Sequence, residues 1–517
     1  MKFDWRNPFC IFGLVLLWRV ALLVLTAQPI PADDAFGYDG AVVNWLRHGA
    51  YINPPLAEVF PISGTQIYAH NPPGYQLPLL LWMLVFGTSV ISSMALHLAL
   101  FAMAGGLVLG IVKTFFPATV NYAPAVLLFF GFTFGDRPED LAHIFGLASL
   151  WLVARQIESG RPGIKAAMGI ALLLLMALYT TLVVGLFYFG VGFLAGAVAW
   201  WSRRLGILFL FTPFLAALGL FAVATVAIVK FEPLWWQGFL ENAREQTVLQ
   251  SGFRRPGLFD GFKLIRTAPV FLLALAAMPV VFRHRRELPV GSAWWALVVG
   301  VLLAGLGLLT ANMTLLSPNY ISYVLFAQIL LAVGLLALGE KVSPKTASRW
   351  RWALWACVVL VSVRAVGMTT WGAVCAWKNS YAETRVTLSQ ELAPFTATNA
   401  PVVVSSAFLY RAYELGVQHP IHPNWYFDHA AWTANAELDG LIRLKPVKLV
   451  LTQFDYYRSF LPVLEQLRGK SDLVKITVRD QAAVRTPDSI PSFQRVVQHI
   501  SWAPVVVDLD WKNPPVR

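Results

Sequence analysis

Long apolar runs alternate with short polar clusters along most of this chain. An apolar run of about 20 residues can cross a bilayer as a helix. The first run covers roughly residues 8–28 and follows Lys2 and Arg6. Its length would suit a secretory signal, but Trp18, Arg19 and the lack of a clear small-residue cleavage motif after Ala27 predict a retained helix. Further runs lie at roughly residues 90–112, 118–135, 141–155, 166–180, 182–201, 205–230, 267–282, 291–311, 320–339 and 352–375. Together they predict about eleven transmembrane helices. The run Gln76–Phe86 is too short to span and predicts a helix lying at the interface.

The cations give the runs a direction. Lys113, Arg155, Arg161, Lys165, Arg203, Arg204, Arg283, Arg285, Arg286, Lys341, Lys345, Arg349 and Arg351 fall at alternate ends. Positive clusters stay on the cytoplasmic side. This places the N-terminus inside and the C-terminus outside. Residues 1–377 then form a membrane module with outer loops at residues 29–89 and 231–266. Residues 378–517 are more polar. In them Val402–Ser405 and Val447–Thr452 read as short buried strands, and Arg411–Leu415 and Tyr456–Leu467 as helices. That alternation predicts a small extramembrane α/β domain. The fold class is a polytopic α-helical membrane protein with a C-terminal α/β domain.

Composition agrees. The 517 residues are 57% hydrophobic and 13% charged, against about 25% charged in soluble domains. The net charge of +12 resides mostly in the clusters between spans, so it does not call for nucleic acid. Cys10, Cys357 and Cys375 lie in or beside apolar runs and share no metal-ligand spacing. The 20 Trp suit interfacial belts first and sugar surfaces second.

Candidate chemistry sits at the outer ends of the runs. Asp33 and Asp34 close the first run in the stretch Pro31-Ala32-Asp33-Asp34-Ala35-Phe36-Gly37-Tyr38-Asp39. They either stop the helix at the water interface or do chemistry there. Asp136-Arg137-Pro138-Glu139-Asp140, followed by His143, lies on the same side. A tight turn explains Pro138 and the acids, which favour a helix N-terminus. It does not explain Arg137, whose charge opposes the helix dipole. Two acidic helix ends on one face could hold a divalent cation or position an acceptor hydroxyl. The second outer loop carries Arg244, Arg254, Arg255, Lys263 and Arg266 against the positive-inside bias. It reads as a phosphate-binding patch or as a solvated amphipathic helix partnered by Glu241 and Glu245. Arg19, His97 and Arg364 fall within spans, where ionisable groups are costly.

The order and spacing of these motifs resemble the GT-C superfamily of membrane glycosyltransferases. The branch they resemble most is that of protein mannosyltransferases and lipid A aminoarabinose transferases. Asp34-Ala35-Phe36-Gly37-Tyr38 fits that family's acidic motif, with Ala41 in the helix that follows. His70-Asn71-Pro72-Pro73-Gly74-Tyr75, leading to Phe86-Gly87, fits its Pro-Pro motif and interfacial helix. Arg137-Pro138-Glu139-Asp140 matches an Arg-x-Asp-like mark. Pro318-Asn319-Tyr320 matches a late Tyr with Asn in place of the usual Arg, and Asp33-Asp34 departs from the usual Asp-Glu pair.

The resemblance implies an inverting glycosyltransferase that takes a sugar from a polyprenyl-phosphate donor. The acceptor would be a hydroxyl of an envelope glycan, lipid or protein. A carboxylate must then remove the acceptor's proton, and Asp34 is the first candidate, Asp33 the second. Cations must stabilise the leaving phosphate, with Arg137, Arg244, Arg254, Arg255 and Lys263 as candidates beside His70 and Tyr320. Asp140 would orient the acceptor or the base, with Tyr38, Glu139 and His143 lining the site. The implied place is a bacterial inner membrane, with transfer on the periplasmic face among membrane lipids. No compact metal motif is present, which favours metal-independent transfer. A flippase of lipid-linked sugars is the rival from another class, and would show inverted repeats and broken spans. A polysaccharide ligase or polymerase is the nearest enzymatic alternative.

Overall fold

The predicted spans that the structure describes fold as α-helices, which satisfy their own backbone polar groups in a lipid surrounding. The computed structural model describes residues 8–25, 35–57, 60–69, 73–117, 138–161, 163–252, 268–283, 292–311, 324–378, 381–422, 434–470, 472–480 and 502–512. The span expected at roughly residues 118–135 lies outside them. The helices are α1 (Pro8–Leu25), α2 (Ala35–His48), α3 (Pro61–Thr65), α4 (Gln76–Phe86), α5 (Val90–Phe115), α6 (Glu139–Ser159), α7 (Ile164–Thr180), α8 (Leu182–Trp201), α9 (Ile207–Phe231), α10 (Pro233–Gly252), α11 (Pro269–Arg283), α12 (Ala293–Ala311), α13 (Leu325–Val342) and α14 (Pro344–Lys378). Among the described residues, α5, α8, α9 and α13 are long and apolar enough to cross a membrane, and shorter apolar helices accompany them.

The bundle core joins α1, α5, α6, α7, α8, α12 and α13, with Val108, Leu147, Leu174, Val191, Val301 and Leu331 buried. By contrast α9 exposes Leu208, Leu215, Val223 and Val226, a surface that suits lipid rather than water. The segment that follows α9 opens with a helix, α10. On α10, Trp235 is buried and Gly238 packs on Ile62 and Ala69, so α10 lies against the segment that runs from α3 to residue 69.

The C-terminal unit begins with α15 (Tyr381–Leu392). Then follow β1 (Val402–Val404), α16 (Ser406–Leu415), β2 (Pro420–Ile421), α17 (Ala434–Leu444), β3 (Lys448–Leu451), α18 (Leu461–Arg468), β4 (Val474–Asp480) and β5 (Val505–Trp511). The strands form one sheet in the order β2-β1-β3-β5-β4. β1 runs parallel to β2 and β3, with Val403 opposite Leu449, whereas β5 runs antiparallel to β3 and β4. Successive side chains alternate faces. Val403, Leu449, Leu451 and Val507 therefore pack with Val463, Leu464 and Leu467 of α18. Val402, Val404 and Val450 face the other way, into a core shared with Phe408 and Tyr410 of α16, Val42 and Val43 of α2, and Leu79 and Met83 of α4. The sheet unit, α2 and α4 are thus closed by one apolar core.

Beside that core, four charges interlock. Lys448 of β3 reaches Glu391 of α15 (2.6 Å) and Asp508 of β5 (3.3 Å). Arg479 of β4 bridges the same two carboxylates, at 2.6 and 2.9 Å. Burial raises the Glu391 pKa, but hydrogen bonds from Arg479 and Lys448 outweigh it and hold the carboxyl below its usual value of 4.5. A depressed carboxylate adds stability that is fully present above the unfolded pKa and is lost as pH falls through the folded one. The full-length protein should therefore become more prone to proteolysis in the C-terminal unit as pH drops below 4.5. Glu391→Gln should flatten that part of the profile. An unchanged acid profile in the variant would remove Glu391 from the account.

Candidate active site

The first turns of α2 follow directly on Asp33-Asp34, and neighbouring segments clamp them. The Asn53 side-chain amide donates to the Phe36 and Gly37 carbonyls, at 3.0 and 3.2 Å. The Tyr68 hydroxyl donates to the Gly37 carbonyl (2.8 Å), and Gln76 Nε2 to the Tyr38 carbonyl (2.9 Å). Gly40 makes room for this. A Cβ there would lie 2.5 Å from Asn53 Oδ1 and 2.6 Å from the Phe36 ring. Burial pushes the phenol pKa of Tyr51, in the same loop, well above its usual value.

Gly74 docks the start of α4. Gly74 N donates to the Tyr179 carbonyl at the end of α7 (2.8 Å). A Cβ on Gly74 would sit 2.6 Å from that carbonyl, so only glycine permits the approach. The next residue, Tyr75, is fully buried and points its hydroxyl inward. That hydroxyl donates to Asp39 Oδ1 (3.0 Å) and meets His97 Nε2 of α5 at 2.8 Å. His97 Nδ1 in turn faces Asp140 Oδ2 of α6 at 3.4 Å. Four buried groups, on α2, just before α4, on α5 and on α6, thus form one polar chain, Asp39–Tyr75–His97–Asp140. Two more hydroxyls donate to Asp39 Oδ2, from Ser93 of α5 and from Tyr410 of α16.

Glu139 and Asp140 occupy the first turn of α6, where the helix dipole favours acids, and both are buried. His143, one turn further, meets the Tyr188 hydroxyl of α8 through Nδ1 (2.8 Å) and packs on Phe326. Its ring is therefore engaged in the helix bundle. Tyr38 is half-buried beside the clamp. Arg19 is buried with its guanidinium 4.2 Å over the Phe101 ring. The backbone of Arg244 belongs to α10. Its side chain, that of Arg364, and residues Asp33, Asp34, His70, Arg137, Arg254, Arg255, Lys263 and Tyr320 lie outside what the structure describes. Among the described residues, no three His, Cys, Asp or Glu side chains gather as a metal site.

The sequence alone marks His97 and Asp140 separately and does not single out Asp39, which the hydrogen bonds join to them. Asp39 stands in the acidic stretch and follows Tyr38 directly. The signal was a third acid on a mostly apolar helix face, with Phe36, Val42 and Val43 buried beside it.

No family model matches the chain, and no curated protein is similar to it in sequence. Solved structures are similar in overall form. ArnT from Cupriavidus metallidurans bound to undecaprenyl phosphate shares 14% identity, with 96% of this chain and 98% of that chain covered and a TM-score of 0.41. The same protein in the apo state gives 14%, 96%, 97% and 0.40. An oligosaccharyltransferase from Archaeoglobus fulgidus, in complex with Zn and sulfate, shares 12% identity over 88% of this chain and 70% of that chain, with a TM-score of 0.48.

Proposed function

We propose that this protein is an inverting glycosyltransferase that moves a sugar from a polyprenyl-phosphate donor to an acceptor hydroxyl on the outer face of a bacterial inner membrane. The observation that carries the reading is the polar chain from Asp39 to Asp140. It ties the helix that follows Asp33-Asp34 to the helix that opens with Glu139-Asp140. A merely solvated pair of helix ends needs no buried linkage between them. Burying such groups is costly unless they are mutually bonded.

In this mechanism Asp34 removes the proton from the acceptor hydroxyl as its oxygen attacks the anomeric carbon. Asp33 is the alternative base. The bond from that carbon to the phosphate oxygen breaks, and the configuration inverts. The leaving polyprenyl phosphate keeps the electron pair, and its charge is met by Arg137 and by Arg244, Arg254, Arg255 and Lys263 of the second outer loop. The packing of α10 on the segment that runs from α3 to residue 69 supports bringing that cationic segment, His70 and the acidic stretch to one place. Tyr320 would add a further phosphate contact. Asp140 orients the acceptor or the base, with Tyr38, Glu139 and His143 around it. A divalent cation remains a candidate at the acidic pair, and no step above depends on one.

The test is transfer by purified protein supplied with lipid-linked sugars extracted from bacterial membranes, with products read by mass spectrometry. A glycosylated product, together with free polyprenyl phosphate, is the expected result and identifies sugar and acceptor at once. Movement of the intact donor across a vesicle bilayer with no product would replace this reading with transport. Repeating the assay with chelator, then with added zinc or magnesium, decides the cation.

A further inference from the structure

The reaction outlined above uses the membrane module and leaves the C-terminal unit without a part. Asp39 supplies the missing link. Its carboxylate is fully buried. Three hydroxyls converge on it, and one of them, that of Tyr410, comes from α16, 371 residues away in the chain. A carboxylate accepts, so each hydroxyl proton points at it. Tyr75 has a single hydroxyl proton. With that proton given to Asp39, its oxygen is left to accept from His97, whose far side stands on Asp140.

We propose that Asp39 is a positioning residue, with Tyr410 as its partner, through which the C-terminal unit holds the acidic site of the membrane module in the geometry that transfer requires. The inference rests on the transferase reading. Charged hydrogen bonds in a dry site are strong and directional. Losing the Tyr410 proton would let the Asp39 carboxylate turn, and Tyr75 and His97 would follow it.

The docking of the unit does not depend on this bond. Phe36 sits between the Tyr410 and Tyr413 rings, with centroids at 5.1 and 4.8 Å. Arg47 donates to the Tyr413 carbonyl (2.8 Å) and to Thr88 Oγ1 (3.0 Å). Tyr410→Phe therefore keeps the ring contact and the shared core while removing one hydroxyl.

The experiment compares full-length wild type, Tyr410→Phe, Asp39→Asn and the double variant in lipid nanodiscs. Each single variant should lower the maximal transfer rate about 10- to 100-fold with the donor KM unchanged, as for loss of a hydrogen bond to a charged group. The double variant should be no slower than the slower single one, because both remove the same link. Hydrogen exchange should rise in Tyr410→Phe over residues 35–48 and 138–143 as well as in α16. Transfer within about twofold of wild type, multiplying effects in the double variant, or exchange changes confined to residues 406–415 would each overturn the proposal. The exchange arm needs no sugar transfer, so failure of the transferase reading is told apart from failure of this one.

Discussion

Asp34→Asn is expected to abolish sugar transfer while the protein still folds and still binds its lipid donor. The substitution keeps the size of the side chain and removes only the ability to take a proton. General bases typically contribute about 100- to 10,000-fold, so a fall of at least 100-fold is the expected size. The structural cost is small. An acid beside a helix N-terminus is worth roughly 0.3–1 kcal/mol, and α2 is held independently by Asn53, Tyr68, Gln76 and the shared apolar core. Donor binding, read by competition with labelled polyprenyl phosphate, should therefore survive. Asp33→Asn should cost less than Asp34→Asn. Wild-type activity in Asp34→Asn would leave that residue as a helix end and pass the role of base to Asp33 or Asp140.

How far the chain announces this arrangement differs from element to element. Helix α4 is legible to the residue, because Tyr75 and Gly87 bracket the mostly apolar run from Gln76 to Phe86. The strands at Val402–Val404 and Lys448–Leu451 are also legible, being short β-branched runs between polar residues. Their partner β5 is not, since pairing Val450 with Val506 depends on chain segments far apart in sequence. Helix α10 lies where the sequence predicts a loop or a solvated amphipathic helix. Its start, Pro233-Leu234-Trp235-Trp236, and its polar second half share no single apolar period.

The site shows the same limit more sharply. Motif spacing finds the acids at the helix ends, because local chemistry decides those positions. It cannot find Asp39, whose partners lie 36, 54 and 371 residues away. A buried carboxylate and a solvated one look alike in a sequence, and only the donors around it tell them apart. His97 is intermediate. Its place within a span signals a purpose, but the purpose needs Tyr75 on one side and Asp140 on the other.

Asp140→Asn should separate the two roles that an acid at the start of α6 can have. As a helix-end acid, Asp140 supplies favourable charge near the N-terminus, worth at most about 1–2 kcal/mol in a partly buried place. An asparagine retains the volume and its amide can either donate to or accept from His97 Nδ1, so the protein should remain folded. As a member of the reacting site it contributes negative charge that orients the acceptor or the base, and a neutral amide cannot replace that charge. Transfer should then fall about 100-fold, with thermal unfolding in detergent shifted by only a few degrees or less. Asp140→Ala is the harsher change. It removes the acceptor as well and leaves His97 facing a void, at a cost of about 1–3 kcal/mol for an unsatisfied buried group. Equal loss of stability and of transfer in the two variants would make Asp140 a structural residue of the polar chain. Loss of transfer in Asp140→Asn with stability retained would place its charge at the reaction. The sensitivity of α6 would then follow from chemistry at its first turn rather than from the packing of the bundle beneath it.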